Sequence, residues 1–224
     1  MPERRYYEAY DERYKTAHAR GIRWMGGEPT ALVGEILDRY GVGQEQPILE
    51  LGCGEGRDAI PLLERGYDLL ATDVSPEAVD YCRLLAPDRA DRFQLLDAVK
   101  GALPGRYRFI YAVAVLHMLV LPEDREGFYR FVREHLTEDG LALLCTMGDG
   151  TAERQSDIRE AFELRERACE GGTISVAATS CRMVSFPTWE KELSWAGLAR
   201  VEEGVTAVEP EFDVMMYAVV RKAD

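Results

Sequence analysis

Between residues 47 and 146, short apolar runs alternate with stretches whose apolar residues recur at helical spacing. Apolar runs of this length are typical of buried strands, and the stretches between them suit crossover helices. The alternation predicts a doubly wound α/β fold around a parallel sheet. The predicted strands are 47–51, 68–72, 93–96, 109–115, 141–146, 198–205 and 214–221. The predicted helices are 6–18, 29–40, 57–65, 76–86, 123–136, 152–169 and 189–196. The segment 173–186 is predicted to be a strand or an ordered loop.

The most informative turn follows the first predicted strand, where residues 48–58 are Ile-Leu-Glu-Leu-Gly-Cys-Gly-Glu-Gly-Arg-Asp. Its glycines permit positive φ angles and a close approach of the backbone to a ligand. A dinucleotide-binding loop, G-x-G-x-x-G, would have its third glycine where this chain has Arg57. Glu50 and Glu55 lie in or beside the turn, and carboxylates there repel a pyrophosphate but attract a cation. The loop therefore favours a nucleoside ligand that carries positive charge.

Aspartates follow the next two predicted strands. Asp73 stands 21 positions after Gly52, near the distance at which an acidic residue accepts hydrogen bonds from ribose hydroxyls. The alternative is an aspartate that only flanks the next helix, which Ser75 can cap. Asp97 can accept from an adenine amine, and the Ala98 backbone N–H can donate to a ring nitrogen. Ligands of doubly wound sheets bind at the carboxyl ends of the strands, so we expect these groups to share one site.

Composition argues against several function classes. The net charge of −13 opposes nucleic-acid binding, which needs a cationic face. No apolar stretch approaches the ~20 residues that cross a bilayer, and the first residues lack an apolar signal-peptide core, so we expect a cytoplasmic protein without membrane contact. The five cysteines include no C-x-x-C pair, so we expect neither a disulfide framework nor a metal site.

The glycine loop, Asp73 and Asp97 together resemble the cofactor motifs of the class I S-adenosylmethionine-dependent methyltransferases. The resemblance covers about residues 47–146, and it includes the family's fourth motif at 109–119 and the turn before its fifth strand at 136–140. It implies S-adenosyl-L-methionine as the cofactor. It also implies a mostly parallel, seven-stranded, Rossmann-like sheet with an antiparallel last strand and an N-terminal helical lid.

Residues 53–58, 63–68 and 71–73 show a closer resemblance, to the thiopurine and tellurite-resistance branch of the family. Trp24 and Pro29 correspond to the upstream entry segment of that branch. Members of that branch methylate small, polarisable acceptors. This resemblance implies a small-molecule acceptor for the present chain.

The resemblance implies one domain, 1–224, with an N-terminal lid at 1–45, a cofactor-binding core at 47–146, an acceptor-side insertion at 147–197 and final strands at 198–224. The candidate cofactor-binding residues are Glu50, Gly52, Cys53, Gly54, Gly56, Asp73, Val74, Asp97, Ala98, Ala114, Tyr14 and Trp24.

Methyl transfer from a sulfonium is an in-line displacement from an activated donor, so we expect no catalytic triad. His117, just past the fourth predicted strand, is the candidate general base, and the alternative is that it only packs or binds the cofactor. Tyr7, Tyr10 and Tyr14 share one helix face, which predicts either a lid over the cofactor or plain core packing. The loop 147–154 is a candidate acceptor-binding segment.

These observations predict a methyltransferase that acts on a small molecule as a monomer or homodimer. Two alternatives stay open for the same cofactor: a binding module that transfers no methyl group, and a methyltransferase of proteins. A nicotinamide-dependent oxidoreductase is the rival with a different cofactor.

Overall fold

In the computed structural model, which describes residues 4–24, 27–169, 172–208 and 212–223, the apolar runs pair into a mixed sheet of seven strands. The helices are α1 (Ala9–His18), α2 (Ala31–Arg39), α3 (Ala59–Glu64), α4 (Pro76–Leu85), α5 (Pro122–His135) and α6 (Phe186–Trp195). The strands are β1 (Ile48–Leu51), β2 (Leu69–Asp73), β3 (Phe93–Leu95), β4 (Tyr107–Val113), β5 (Leu136–Met147), β6 (Arg154–Gln155), β7 (Leu164–Cys169), β8 (Gly172–Ala177), β9 (Arg182–Met183), β10 (Leu198–Val208) and β11 (Phe212–Lys222).

The large sheet has the strand order β10-β11-β5-β4-β1-β2-β3. Neighbours from β5 to β3 are parallel, whereas β11 runs antiparallel to both β5 and β10. The predicted Rossmann-like sheet with an antiparallel last strand is therefore confirmed. Strand order reverses between β1 and β4, and doubly wound sheets bind their ligands at such a reversal.

Burial on both faces explains why the central strands are continuous apolar runs. Ile48 and Phe109 belong to one buried cluster, whereas their chain neighbours Leu49 and Ile110 belong to another, and all four side chains are fully buried. Successive side chains of a strand point to opposite faces. Strands of parallel sheets therefore carry apolar residues at successive positions.

Local capping fixes where two of the helices begin. The Ser75 hydroxyl accepts from the Ala78 backbone N–H at 3.1 Å, so the predicted start of α4 is confirmed. Helix α6 begins earlier than its sequence pattern predicts, because Ser185, not Thr188, caps it. Pro187 fits the first turn of α6, where a missing N–H costs little.

The segment 152–169 is not the charged helix that its composition predicts. It forms the short strand β6, which pairs with β9, and the strand β7, which pairs antiparallel with β8. Glutamate and arginine favour helices on their own, but tertiary contacts decide here, since β8 buries Ile174 and Val176 beside Ala17 of α1.

Helix α1 packs between α4 and β8. On the α4 side, the Asp11 carboxylate accepts from the Ser75 hydroxyl at 2.7 Å. On the β8 side, the buried Arg13 guanidinium donates to the carbonyls of Ala177 at 2.6 Å and Ala178 at 2.7 Å. These bonds fix α1 as a lid at the end of the sheet that carries the glycine loop.

Candidate active site

A cavity lies at the carboxyl ends of the central strands, between the glycine loop and the N-terminal segment. The cavity brings together ten of the twelve predicted cofactor residues: Glu50, Gly52, Cys53, Gly54, Asp73, Val74, Asp97, Ala98, Ala114 and Tyr14. The first eight of these follow or end β1, β2 and β3, and Ala114 follows β4. The doubly wound topology therefore assembles the predicted site.

The glycine loop approaches its neighbours too closely for side chains. Gly52 has φ +78°, and a Cβ atom there would lie 2.3 Å from Cγ2 of Val115. Gly54 has φ +52°, and its Cβ would lie 2.7 Å from the Tyr14 hydroxyl oxygen. Glycine adopts such angles without a steric penalty. The loop backbone thus forms one wall of the cavity directly.

Ala114 is a strained residue at the end of β4. Its φ of +59° lies in the left-handed region, and its backbone N–H donates to the Cys145 carbonyl at 3.0 Å. Non-glycine residues held there cost roughly 1–3 kcal/mol and cluster at functional sites. The strain therefore fits a place in the cavity wall.

Asp73 holds the glycine loop and the start of α4 together. Its Oδ2 atom accepts from the Gly54 N–H at 2.8 Å, and its Oδ1 atom accepts from the Ser75 N–H at 2.8 Å. Burial raises the pKa of Asp73, and these two hydrogen bonds oppose the rise. A carboxylate has about four acceptor positions, so two remain for ribose hydroxyls. Asp73 thus flanks the helix and lines the cavity at the same time.

Asp97 joins the cavity to the N-terminal segment. Its Oδ2 atom accepts from the Tyr7 hydroxyl at 3.0 Å, and its Oδ1 atom accepts from the Val99 N–H at 2.9 Å. Burial and the charge of Asp97 raise the pKa of Tyr7, which stays a neutral donor. The residue predicted to bind adenine is therefore held in place from two sides.

Glu50 and Arg57 are buried ionisable residues of the cavity lining. Glu50 is 3% exposed, and its Oε2 atom has no hydrogen-bond partner among the described residues. Burial and the neighbouring Asp58 raise the pKa of Glu50 well above its usual range. Arg57 lines the same cavity and donates to Asp58 at 3.2 Å and to the Thr30 hydroxyl at 3.1 Å.

Arg57 and Asp58 line the cavity but are not among the predicted cofactor residues. The available signal was Arg57 itself, which replaces the third glycine of a dinucleotide loop. A buried guanidinium suits a carboxylate, and an acidic oxygen without a partner suits an ammonium group or a sulfonium. The donor set therefore fits S-adenosylmethionine, whose amino-acid end carries both charges.

Three tyrosines form the lid side of the cavity. Tyr7, Tyr10 and Tyr14 all line it, and Tyr7 and Tyr14 are at most 5% exposed. This helix face therefore borders the cavity, and Tyr7 and Tyr14 are also buried. Sequence patterns gave no cavity role to the apolar wall of Val99, Met118, Leu119 and Phe128, since such residues are common in any core.

Gly56 and Trp24 are predicted cofactor residues that the structure does not bring to the cavity. A Cβ atom on Gly56 would lie 2.8 Å from Cδ1 of Ile60, so this glycine serves the packing of α3. The Trp24 ring packs with the cluster around Ile174, 5.0 Å from the Arg13 guanidinium.

Glu55 also faces away from the cavity. Its side chain is fully buried and bonds to the His18 ring at 2.7 Å and to the Trp24 backbone N–H at 2.8 Å. Of the two glutamates in the turn, only Glu50 therefore lines the site where a cationic ligand would bind.

His117 lies in a 3₁₀ turn, Leu116–Met118, whose neighbours Val115 and Met118 line the cavity while His117 itself does not. Its side chain is 3% exposed. Burial and the charges of Arg125 and Arg13 lower the pKa of His117 to about 4. An imidazole with this pKa accepts protons poorly near neutral pH, which favours the packing alternative.

Unfolding measured against pH tests the burial of His117. Its pKa is about 4 in the folded protein and 6.5 for the free side chain, so between these values only the unfolded chain binds the proton. The contribution of His117 to the free energy of unfolding is therefore full above pH 6.5, decreases as the pH falls, and levels off below pH 4. We expect about 3 kcal/mol to be lost between pH 7 and pH 4. Urea unfolding of wild type and His117→Gln should show a pH-dependent difference of this size, and a constant difference would contradict it.

The 147–154 loop closes on itself. Asp149 accepts from the backbone N–H groups of Thr151 and Ala152, both at 2.8 Å, and these bonds lower the pKa of Asp149 to about 2. Arg154 is exposed and contacts the Met183 sulfur. Neither side chain lines the cavity.

Across the described ranges, no helix has both the length and the apolar character of a membrane span. The same residues contain no cluster of three or more histidine, cysteine, aspartate or glutamate side chains that could hold a metal ion.

Comparisons with known proteins agree with this geometry. Residues 49–142 match the family model described as a methyltransferase domain. The CcbJ methyltransferase of Streptomyces caelestis superposes with a TM-score of 0.70 at 20% identity, over 96% of this chain and 99% of that chain. The 1,6-didemethyltoxoflavin-N1-methyltransferase of Burkholderia thailandensis, with S-adenosylhomocysteine bound, has a TM-score of 0.70 at 17% identity, over 96% of this chain and 88% of that chain.

One curated relative matches over a shorter stretch. Hemagglutinin 1 of Eikenella corrodens is 41% identical over 76 residues, which are 32% of this chain and 24% of that protein. The match thus spans about a quarter of the relative's length. Residues 49–142 are therefore similar to a methyltransferase domain, and the chain has the same fold as these two methyltransferases.

Proposed function

We propose that this protein transfers the methyl group of S-adenosylmethionine to a small-molecule acceptor. The observation that carries the proposal is the cavity itself, in which Glu50, Asp73 and Asp97 lie at the ends of three neighbouring strands beside the glycine loop. When bound, S-adenosylmethionine supplies a methyl group that is already activated by its sulfonium.

The roles of the lining residues follow from their chemistry. Asp73 accepts hydrogen bonds from the ribose hydroxyls, and Asp97 with the Ala98 N–H binds the adenine edge. Arg57 pairs with the carboxylate of the amino-acid end, and Glu50 with its ammonium group or the sulfonium. The buried setting of these charges strengthens each interaction relative to water.

The chain contributes to the reaction mainly by positioning and by excluding water. The tyrosines of the lid cover the cavity, and their rings suit a neighbouring cation. A base is needed only for acceptors that must lose a proton. His117 stays a candidate for that role, although its low pKa makes it a weak one.

Two observations support a small acceptor. The net charge of −13 opposes nucleic acids as substrates. A protein with the same fold, the Burkholderia thailandensis enzyme, is named for a small-molecule acceptor, 1,6-didemethyltoxoflavin.

Within this proposal we keep three narrower predictions from the sequence: a likeness to the thiopurine and tellurite-resistance branch, a cytoplasmic location, and a monomer or homodimer. A module that binds the cofactor without transfer and a methyltransferase of proteins remain the two alternatives.

Calorimetry and a transfer assay test the proposal together. We expect S-adenosylhomocysteine to bind and NAD not to bind, because the cavity offers carboxylates where a pyrophosphate would lie. We also expect transfer of labelled methyl groups from S-adenosylmethionine to at least one member of a panel of thiols, amines and carboxylates. Binding of NAD alone would overturn the cofactor assignment, and tight cofactor binding without transfer to small molecules or proteins would favour the module.

A further inference from the structure

We propose that His18 is a positioning residue for the cofactor, because it fastens helix α1, with the cavity tyrosines Tyr10 and Tyr14, to the glycine loop. The proposal rests on the proposed function, since it concerns the affinity of the same cavity for S-adenosylmethionine. His18 itself lies outside the cavity lining.

Both ring nitrogens of His18 meet carboxylates. Nε2 lies 2.7 Å from Oε1 of Glu55 in the glycine loop, and Nδ1 lies 2.8 Å from Oε1 of Glu77 on α4. The His18 side chain is 10% exposed and that of Glu55 is fully buried. Both contacts are within hydrogen-bond distance, so the two ring nitrogens link the glycine loop to α4.

Aromatic stacking fixes the plane of the same ring. The His18 ring stacks on Tyr81 of α4 with centroids 4.1 Å apart and an interplanar angle of 19°. It also stacks on Tyr14, which lines the cavity, at 5.9 Å and 24°. Movement of His18 would therefore displace a wall of the site as well as the loop.

Glu55 connects His18 to the cavity wall that the glycine loop forms. It stands between Gly54 and Gly56, and its Oε1 atom also accepts from the Trp24 N–H at 2.8 Å. Gly54 in turn donates its N–H to Asp73 at 2.8 Å. A continuous chain of bonded groups thus runs from His18 to the carboxylate proposed to bind the ribose.

The rest of α1 stays docked without His18. Asp11 bonds Ser75, which caps α4, and Arg13 bonds the carbonyl of Ala177 at the end of β8. A substitution at His18 should therefore leave the fold intact and change the geometry between α1 and the loop.

Substitution of His18 by glutamine or by asparagine distinguishes the contributions of the contacts that the two ring nitrogens make. The amide nitrogen of glutamine reaches the position of Nε2, and that of asparagine the position of Nδ1. We expect His18→Asn, which loses the bond to Glu55, to raise the Kd for S-adenosylhomocysteine about tenfold, the effect of a lost hydrogen bond to a charged group. His18→Gln keeps that bond and should raise the Kd less, by about threefold.

His135 provides a matched control. It is also buried, at 7% exposure, and its ring nitrogens face the backbone carbonyls of Phe131 and Leu103, away from the cavity. His135→Gln should lower thermal stability and leave the Kd unchanged. Hydrogen exchange of residues 9–18 in the free protein should be faster in His18→Asn than in wild type or His135→Gln.

The two measurements separate the proposals. Equal Kd values and equal exchange in wild type and folded His18→Asn would overturn the role of His18. Wild-type protein that does not bind S-adenosylhomocysteine would overturn the proposed function and the cofactor role of His18 with it. If hydrogen exchange is still faster in His18→Asn in that case, His18 holds α1 to the glycine loop but does not serve the binding of that ligand.

Discussion

Asp73→Ala should weaken the binding of S-adenosylhomocysteine by about 100-fold, or roughly 3 kcal/mol. The carboxylate accepts from the N–H groups of Gly54 and Ser75 and faces the cavity with its remaining acceptor positions. Alanine leaves two buried N–H donors unpaired and removes the proposed ribose contact. Calorimetry on the folded variant measures the change in affinity.

Asp73→Asn is the matched control for that experiment. Asparagine keeps the size of the side chain and one acceptor oxygen, but its amide nitrogen faces one of the two donors. We expect its affinity to lie between those of wild type and Asp73→Ala, about tenfold below wild type. If folded Asp73→Ala binds S-adenosylhomocysteine as tightly as wild type, Asp73 has no part in the site.

Gly52→Ala should destabilise the folded protein by about 3 kcal/mol and disrupt the cavity wall. Alanine at φ +78° is strained, and its Cβ atom would lie 2.3 Å from Cγ2 of Val115. The clash forces the glycine loop or the segment after β4 to move, and both line the cavity. Urea unfolding measures the loss of stability, and calorimetry the loss of affinity.

Gly41→Ala separates strain from overlap in this experiment. Gly41 has a similar φ of +62°, but nothing lies within 4 Å of a Cβ atom there. We expect the free energy of unfolding of this variant to fall by about 1 kcal/mol, the cost of backbone strain, and its affinity for S-adenosylhomocysteine to stay unchanged. The double variant Gly52→Ala, Val115→Ala should recover the part of the stability loss that comes from overlap between the new Cβ atom and the Val115 side chain. Equal losses at Gly52 and Gly41 would contradict the close approach to Val115.

The positions of the site residues on strand ends could be predicted because they depend on local pattern. An apolar run that stops at a glycine or an aspartate marks the end of a strand, and a parallel sheet brings such ends together. Glu50, Asp73 and Asp97 therefore share one cavity as expected.

Side-chain direction within the loops could not be predicted in this way. Glu50 and Glu55 both lie in or beside the glycine turn, yet Glu55 faces away from the cavity because His18, 37 residues earlier, offers it a partner. The hairpin of β7 and β8 escaped prediction for the same reason, since its buried contacts lie on α1. Pairs so distant in sequence leave no periodic signal in either segment.

The hydrogen bond from Tyr7 to Asp97 has a consequence for turnover. The N-terminal segment is tied to the same carboxylate that is proposed to recognise adenine. Under the proposed function, we expect release of the by-product to be coupled to the opening of this bond, because the opening of a lid limits turnover in many enzymes.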